Sequence, residues 1–179
     1  RLNLVPEIDK LVCKLAVDKL GGDAKPIGIN LSMASIASEN FRKWIIALLQ
    51  ITPANAKQIV FEIEDMTIVQ YKNETLAFCL AVRELGCKIT IEHFGENLAS
   101  LAGIRAIQPD FLKVSGKLTK GIEESRDNQL FVSSLVSIAN GLNIQVIAEL
   151  VETEQESTAL AKVGVMFQQG YLFSKPAQW

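Results

Sequence analysis

Residues 89–101 read Ile89-Thr90-Ile91-Glu92-His93-Phe94-Gly95-Glu96-Asn97-Leu98-Ala99-Ser100-Leu101. A short β-branched run ends in an acid, an imidazole and a glycine turn, after which Leu98, Leu101 and Ile104 recur at helical spacing. The stretch is therefore a strand, a loop and a helix. In parallel α/β proteins ligands bind just beyond the carboxyl ends of the strands, which places Glu92 and His93 where chemistry is expected.

Outward from this unit the same arrangement repeats. Strands are expected at Ile27 to Leu31, Ile59 to Ile63, Lys88 to Glu92, Asp110 to Val114, Ile144 to Ala148 and Val165 to Gln169. Between them the apolar spacing predicts helices. The first runs over residues 6–20, opened by Pro6 and Glu7, with Ile8, Leu11, Val12, Leu15 and Ala16 on one face and Gly21-Gly22 as its stop. The next, capped by Ser38, carries Phe41, Trp44, Ile45, Leu48 and Leu49 and ends before Pro53. Others run from Thr67 to Leu85 with Gly86 as stop, Leu98 to Ile107, Asp127 to Asn140, and Glu154 to Val163. Six strands alternating with helices argue for parallel βα units in one domain spanning residues 1–179. No Gly-rich phosphate loop follows any of the strands, which disfavours a doubly wound nucleotide fold. A closed barrel needs eight strands and about 250 residues, so the expectation is a barrel whose first strand or strands lie upstream of Arg1.

The composition removes several other classes. A formal charge of -2 without blocks of like charge gives no footprint of a nucleic-acid polymer binder. No apolar run is long enough to span a bilayer, and the reading is a cytoplasmic domain, with an inner-membrane anchor allowed in the parent protein. Cys13, Cys79 and Cys87 are odd in number, far apart and in apolar surroundings, as buried reduced thiols are. Trp44 reads as core packing and Trp179 as a frayed terminus.

Each expected strand delivers a polar residue at its end: Asn30, Glu62, Glu92 with His93, Lys113, Glu149 and Gln169. Taken singly, a glutamate after a strand is usually a solvated loop residue and a lysine a surface one. Together, the three carboxylates with Asn30 and Lys113 make a composition suited to oxygen-ligated divalent cations and phosphate chemistry.

The blocks Asn30-Leu31-Ser32, Phe61-Glu62-Ile63-Glu64-Asp65, His93-Phe94-Gly95, Pro109-Asp110-Phe111-Leu112-Lys113-Val114, Ala148-Glu149-Leu150-Val151-Glu152-Thr153 and Gln169-Gly170-Tyr171-Leu172-Phe173-Ser174-Lys175-Pro176 occur in the order and spacing of a known family. In them the chain resembles the EAL domain, the family of cyclic di-GMP phosphodiesterases and related receptors. The resemblance implies a TIM-like (β/α) barrel of the EAL type. It implies that Asn30, Glu62, Glu92 and His93 stand at metal-holding positions, that Lys113 and Glu149 position and activate the attacking water, and that Asp65, Glu152 and Gln169 support the site or its ligand. In an active member, two cations such as Mg²⁺ or Mn²⁺ about 4 Å apart generate the hydroxide that opens the ring to linear pGpG.

The departures from the family pattern fall at that centre. Paired aspartates are replaced by Glu92-His93. The extra methylene of Glu92 moves its oxygens beyond a metal site's tolerance of about 0.2 Å. The neutral imidazole supplies neither the charge nor the two oxygens that a hard cation prefers. Asn97, Leu98 and Ala99 stand where the family carries Gly, Tyr and Ser, Ser115 replaces an acid, Leu150 replaces a glycine, and the Glu-Ala-Leu signature lies outside this chain. The expected function is a catalytically degenerate EAL domain, similar to the LapD type, that serves as a cyclic di-GMP receptor or regulatory module in bacterial signalling and needs no cofactor. The alternatives are an active metal-dependent phosphodiesterase and a protein-interaction scaffold. A neighbouring GGDEF-type domain and a homodimer are the partners the resemblance implies.

Overall fold

The computed structural model describes residues 4–20, 25–96 and 101–176. Helix α1 (Val5–Lys19) leads into β1 (Ile27–Leu31), followed by α2 (Met33–Ala37), α3 (Glu39–Ile51), α4 (Pro53–Ala56) and β2 (Ile59–Glu64). Then come α5 (Asp65–Gln70), α6 (Lys72–Glu84), β3 (Lys88–Phe94), α7 (Leu101–Ile107), β4 (Phe111–Val114) and α8 (Gly116–Thr119). The chain closes with α9 (Arg126–Gly141), β5 (Gln145–Ala148), α10 (Glu154–Lys162) and β6 (Phe167–Gln168). The sheet order follows the chain from β1 to β6, and β1–β2, β4–β5 and β5–β6 are parallel, as strands joined by helical crossovers must be. Two compact units divide the chain, one of residues 1–91 and 99–109, the other of 92–98 and 110–179.

In the first unit, strand alternation separates two faces. Ile29, Leu31, Phe61 and Ile63 are buried, and Phe61 meets Phe78 of α6 edge-on with ring centroids 5.4 Å apart. Burial of each ring contributes roughly 2–3 kcal/mol. Gly28, Asn30 and Glu62 take the other face.

In α1 the face that carries the apolar repeat is not the one packed inward. Of Ile8, Leu11, Val12, Leu15 and Ala16, only Ala16 is buried, and the helix turns Cys13, Ala16 and Val17 inward instead. The reason is Asp9. Its Oδ2 accepts hydrogen bonds from the Ser32 amide at 2.9 Å, the Ser32 hydroxyl at 2.7 Å and the Ser35 hydroxyl at 2.6 Å. On the same side the Lys10 ammonium lies 5.9 Å from the ring centroid of the half-buried Trp44. Polar anchors thus set the rotation of the helix, and the apolar stripe turns outward.

Other boundaries moved for local reasons. The single helix expected over Thr67 to Leu85 is two, α5 and α6, because Tyr71 leaves helical dihedrals at φ -130 and ψ 53. The hydroxyl of Thr75 spans the break, donating to the carbonyls of Thr67 at 3.3 Å and Tyr71 at 2.7 Å. Ser38 caps α3 as expected, accepting from the Phe41 amide. Ser32 and Ser115 cap the short helices α2 and α8, which the apolar pattern did not reveal. Gly141 closes α9 from inside, and the strand expected over Val165 to Gln169 shrinks to the two residues of β6. The Gly21-Gly22 stop, the Asn97 to Ala99 substitutions and Trp179 lie outside the described residues.

Cys13, Cys79 and Cys87 are free and buried. Burial pushes each thiol up to about 12, so all three remain protonated and unreactive at neutral pH.

Candidate ligand site at the strand ends

In the second unit, β4 and β5 bury Leu112, Val114, Val146 and Ala148 on one side and carry Lys113 on the other. Lys113 is only 5% exposed, and its ammonium is matched by carboxylates. Nζ donates to Glu92 Oε1 at 2.9 Å and lies 3.9 Å from Glu149 Oε1. The second oxygen of Glu149 is 3.8 Å from Nδ1 of the half-exposed His93. Strands β3, β4 and β5 therefore bring Glu92, His93, Lys113 and Glu149 into one cluster.

The backbone aims these side chains by the same device twice. Immediately after each acid the chain turns through a left-handed residue, His93 at φ 55 and Leu150 at φ 56. A side chain there costs roughly 1–2 kcal/mol. Histidine is among the residues that tolerate the region, and leucine is not.

Two further glutamates, outside the set of strand-end residues, hold the loops behind these turns. Glu96 accepts from the Lys117 ammonium at 2.6 Å and the Ser115 hydroxyl at 2.5 Å. The hydrogen bonds from Lys117 and Ser115 keep its carboxyl below the usual carboxylate range. A carboxylate thus stands beside Ser115, supplied from the loop after β3.

Glu156, at the third position of α10, accepts from the backbone amides of Gly121 at 3.0 Å, Glu152 at 2.9 Å and Thr153 at 3.2 Å. Burial pushes its carboxyl up, and the three amide bonds outweigh that, leaving it below the usual range. Thr153-x-x-Glu156 is a capping box, a signature legible in the sequence. The hydroxyl of Thr119 completes the anchoring by donating to the Glu149 carbonyl at 2.6 Å.

The remaining expected residues have contacts of their own. Gln169 is fixed through its backbone, its amide bonded to the Ala148 carbonyl at 2.8 Å and its carbonyl to the Val151 amide at 3.0 Å. Gly170 follows because any Cβ there would collide with the backbone of Val151. Glu152 is exposed and lies 3.7 Å from the Lys120 ammonium. In the first unit, Asn30 and Glu62 are register partners on β1 and β2. The Glu62 carboxylate lies over Gly28, where a Cβ would sit 2.6 Å from Oε1. Asp65 is buried in the first turn of α5, a favourable place for a negative charge. Among the described residues, no three His, Cys, Asp or Glu side chains gather closely enough to hold a metal ion.

Residues 1–176 match the family model of the EAL domain. The chain belongs to the EAL domain family. Cyclic di-GMP phosphodiesterase PdeB of Shewanella oneidensis is 28% identical to this EAL domain over 181 residues, 98% of the chain and 21% of PdeB. The solved S helix-GGDEF-EAL chain of Vibrio cholerae LapD, known apo and bound to c-di-GMP, superposes with a TM-score of 0.91 at 27% identity, covering 97% of this chain and 43% of that one. Klebsiella pneumoniae BlrP1, solved as a manganese/cy-diGMP complex, gives 0.82 at 28% identity over 97% of this chain and 44% of its own. The EAL domain thus spans about a fifth of PdeB and under half of either solved chain. Its α/β fold of parallel βα units is that of the TIM-like EAL barrels, as the sequence implied.

Proposed function

We propose that this EAL domain binds cyclic di-GMP without hydrolysing it and acts as a receptor or regulatory module in bacterial signal transduction. The observation that carries the reading is the Lys113–Glu92 ion pair at 2.9 Å. Glu92 is the carboxylate left after His93 replaced its neighbour, and it is committed to an ammonium. Among the described residues, the Glu149 carboxylate stands near that pair and the His93 imidazole near Glu149. That set does not fit two hard divalent cations, which need several anionic oxygens each. Binding a dinucleotide needs contacts to phosphate and base and no second cation, so the substitutions spare it. LapD, known bound to c-di-GMP, supports the same reading. In the parent protein the setting would be a GGDEF-type neighbour, an upstream strand carrying the Glu-Ala-Leu motif, a cytoplasmic location with an inner-membrane anchor, and a homodimer. Among the described residues, no helix is long and apolar enough to cross a membrane.

A second reading, an active phosphodiesterase, is favoured by Lys113 and Glu149 standing within 3.9 Å of each other and by the register pair Asn30–Glu62. PdeB's name points the same way. Calorimetry with cyclic di-GMP, with and without EDTA, separates the two when run beside chromatography of the nucleotide after incubation with Mg²⁺ or Mn²⁺. The receptor reading expects equal binding heats in both buffers and intact cyclic nucleotide. Appearance of the linear dinucleotide overturns it, and absence of any binding heat overturns both.

A further inference from the structure

The left-handed turn after Glu149 holds a leucine where such a backbone favours glycine, and the leucine side chain has a definite seat. It lies across Gly116, the first residue of α8. A Cβ on Gly116 would collide with Leu150 Cδ1 and stand 3.0 Å from its Cγ and 3.2 Å from its Cβ. Gly116 itself has no positive φ, so the missing side chain serves this close approach and not a turn.

The four residues of α8 are thereby fastened on both sides. Toward β5, Thr119 donates to the Glu149 carbonyl at 2.6 Å and Gly116 seats Leu150. Toward β3, the Ser115 hydroxyl and the Lys117 ammonium both bond to Glu96, and the Ser115 amide donates to the Phe94 carbonyl at 3.2 Å. Every one of these residues belongs to the second compact unit, so the contacts are internal to it.

We propose that Leu150 is a positioning residue for the strand-end cluster: seated on Gly116, it makes α8 a strut between the β3 and β5 ends, so that Glu92 and Glu149 are held to Lys113 as one unit. The single hydrogen bond from Thr119 leaves the Glu149 carbonyl free to swing about it. A second contact one residue further on removes that rotation. The strained dihedral at Leu150 turns the side chain onto its seat, which gives the strain a use at the site. For the ligand, the consequence rests on the function proposed above. A rim ordered before cyclic di-GMP arrives raises affinity, because the cost of ordering it is not met on binding.

Native-state hydrogen exchange reads the strut without any ligand. The amides of Leu118 and Lys120, bonded to the carbonyls of Ser115 and Gly116 at 2.9 Å each, report on α8, and the amide of Val151, bonded to Gln169, reports on the β5 loop. Leu150→Ala keeps a Cβ, and with it the backbone restriction, but loses the reach to Gly116. Exchange at Leu118 and Lys120 should rise at least fivefold with little change in the thermal midpoint, and Leu150→Met should stay within about twofold of the parent. Gly116→Ala should match Leu150→Ala when made alone and add less than twofold to it, since the colliding atoms are then gone. Glu96→Ala, on the far side of α8, should speed exchange at Val151, an effect that a purely local packing contact would not carry. Calorimetry with cyclic di-GMP should show affinity several-fold weaker in Leu150→Ala.

Unchanged α8 exchange in Leu150→Ala overturns the positioning role, as does a Val151 amide indifferent to Glu96→Ala, a fully additive Gly116→Ala, or equal nucleotide affinity in the parent and Leu150→Ala. A parent chain that binds no nucleotide overturns the proposed function instead, and the exchange results then decide the role of Leu150 by themselves.

Discussion

β3 and β5 both deliver a glutamate to the same lysine, Glu92 at 2.9 Å and Glu149 at 3.9 Å from Lys113 Nζ, and both then turn through a left-handed residue. What holds the following loop differs. After β5, the buried Glu156 takes three backbone amides. After β3, the more open Glu96 takes two side chains, one of them on the exposed Lys117. A strand end can thus be aimed by a rigid backbone bond set or by a set of side-chain tethers, and the two should fail under different conditions.

The largest effect should come from breaking what the two ends share. Lys113→Met leaves two carboxylates facing each other with their buried counter-charge gone, and removing one partner of such a pair costs about 3 kcal/mol. Urea unfolding should show the midpoint fall with an unchanged slope. Adding Glu92→Gln should recover a large part of the loss, because the uncompensated charge goes with it. An unaltered midpoint in Lys113→Met would mean the ammonium is not the keystone of the cluster.

Next in size is the β5 end. Glu156→Ala strands three backbone amides and destroys the capping box, for an expected loss of about 2 kcal/mol. The pH dependence follows from the depressed carboxyl. A carboxyl held below its unfolded value, near 4.3 on average, adds stability that is present in full above that value and fades as the pH falls through the folded one. The gap between the parent and Glu156→Gln should therefore be widest at neutral pH and shrink below about pH 4. A gap of constant size across that range would show that the amide bonds do not favour the ionised form.

The β3 end should respond less and in a different way. Glu96→Ala removes partly solvated bonds, and exposed pairs of this kind are worth about 0.5 kcal/mol after screening. Its stability cost should fall as salt is raised from low to physiological strength, while that of Glu156→Ala should hardly move. Equal salt dependence of the two would erase the distinction between them.

Much of this was legible in the sequence, and the parts that were not share a cause. The six strands and their polar ends followed from β-branched runs and punctuating glycines, because those signals are local. The stripe on α1 was legible too, but periodicity identifies an apolar face without saying what covers it. The deciding contact, Asp9 with Ser32 and Ser35, spans 23 and 26 residues and leaves no local mark. Glu96 and Ser115, 19 residues apart, were hidden in the same way. Glu156 was not hidden: Thr153-x-x-Glu156 before a helix is a readable cap. Gly28 also carried a signal, since a glycine inside a strand often marks a close approach, here by Glu62.

The smallest effect separates the two turns themselves. Leu150 holds a left-handed backbone with a side chain that is 61% exposed, so little burial compensates the strain. Leu150→Gly should relieve roughly 1–2 kcal/mol of steric cost. The extra freedom of glycine in the unfolded chain returns about 0.5–1 kcal/mol of that, leaving a gain between about 0 and 1.5 kcal/mol. His93→Gly should gain less or nothing, because histidine tolerates the region better and its ring lies 3.8 Å from Glu149. Thermal unfolding of the two variants side by side measures the difference. A larger gain at residue 93 than at 150 would show that the β3 turn, and not the β5 turn, is where this EAL domain stores backbone strain.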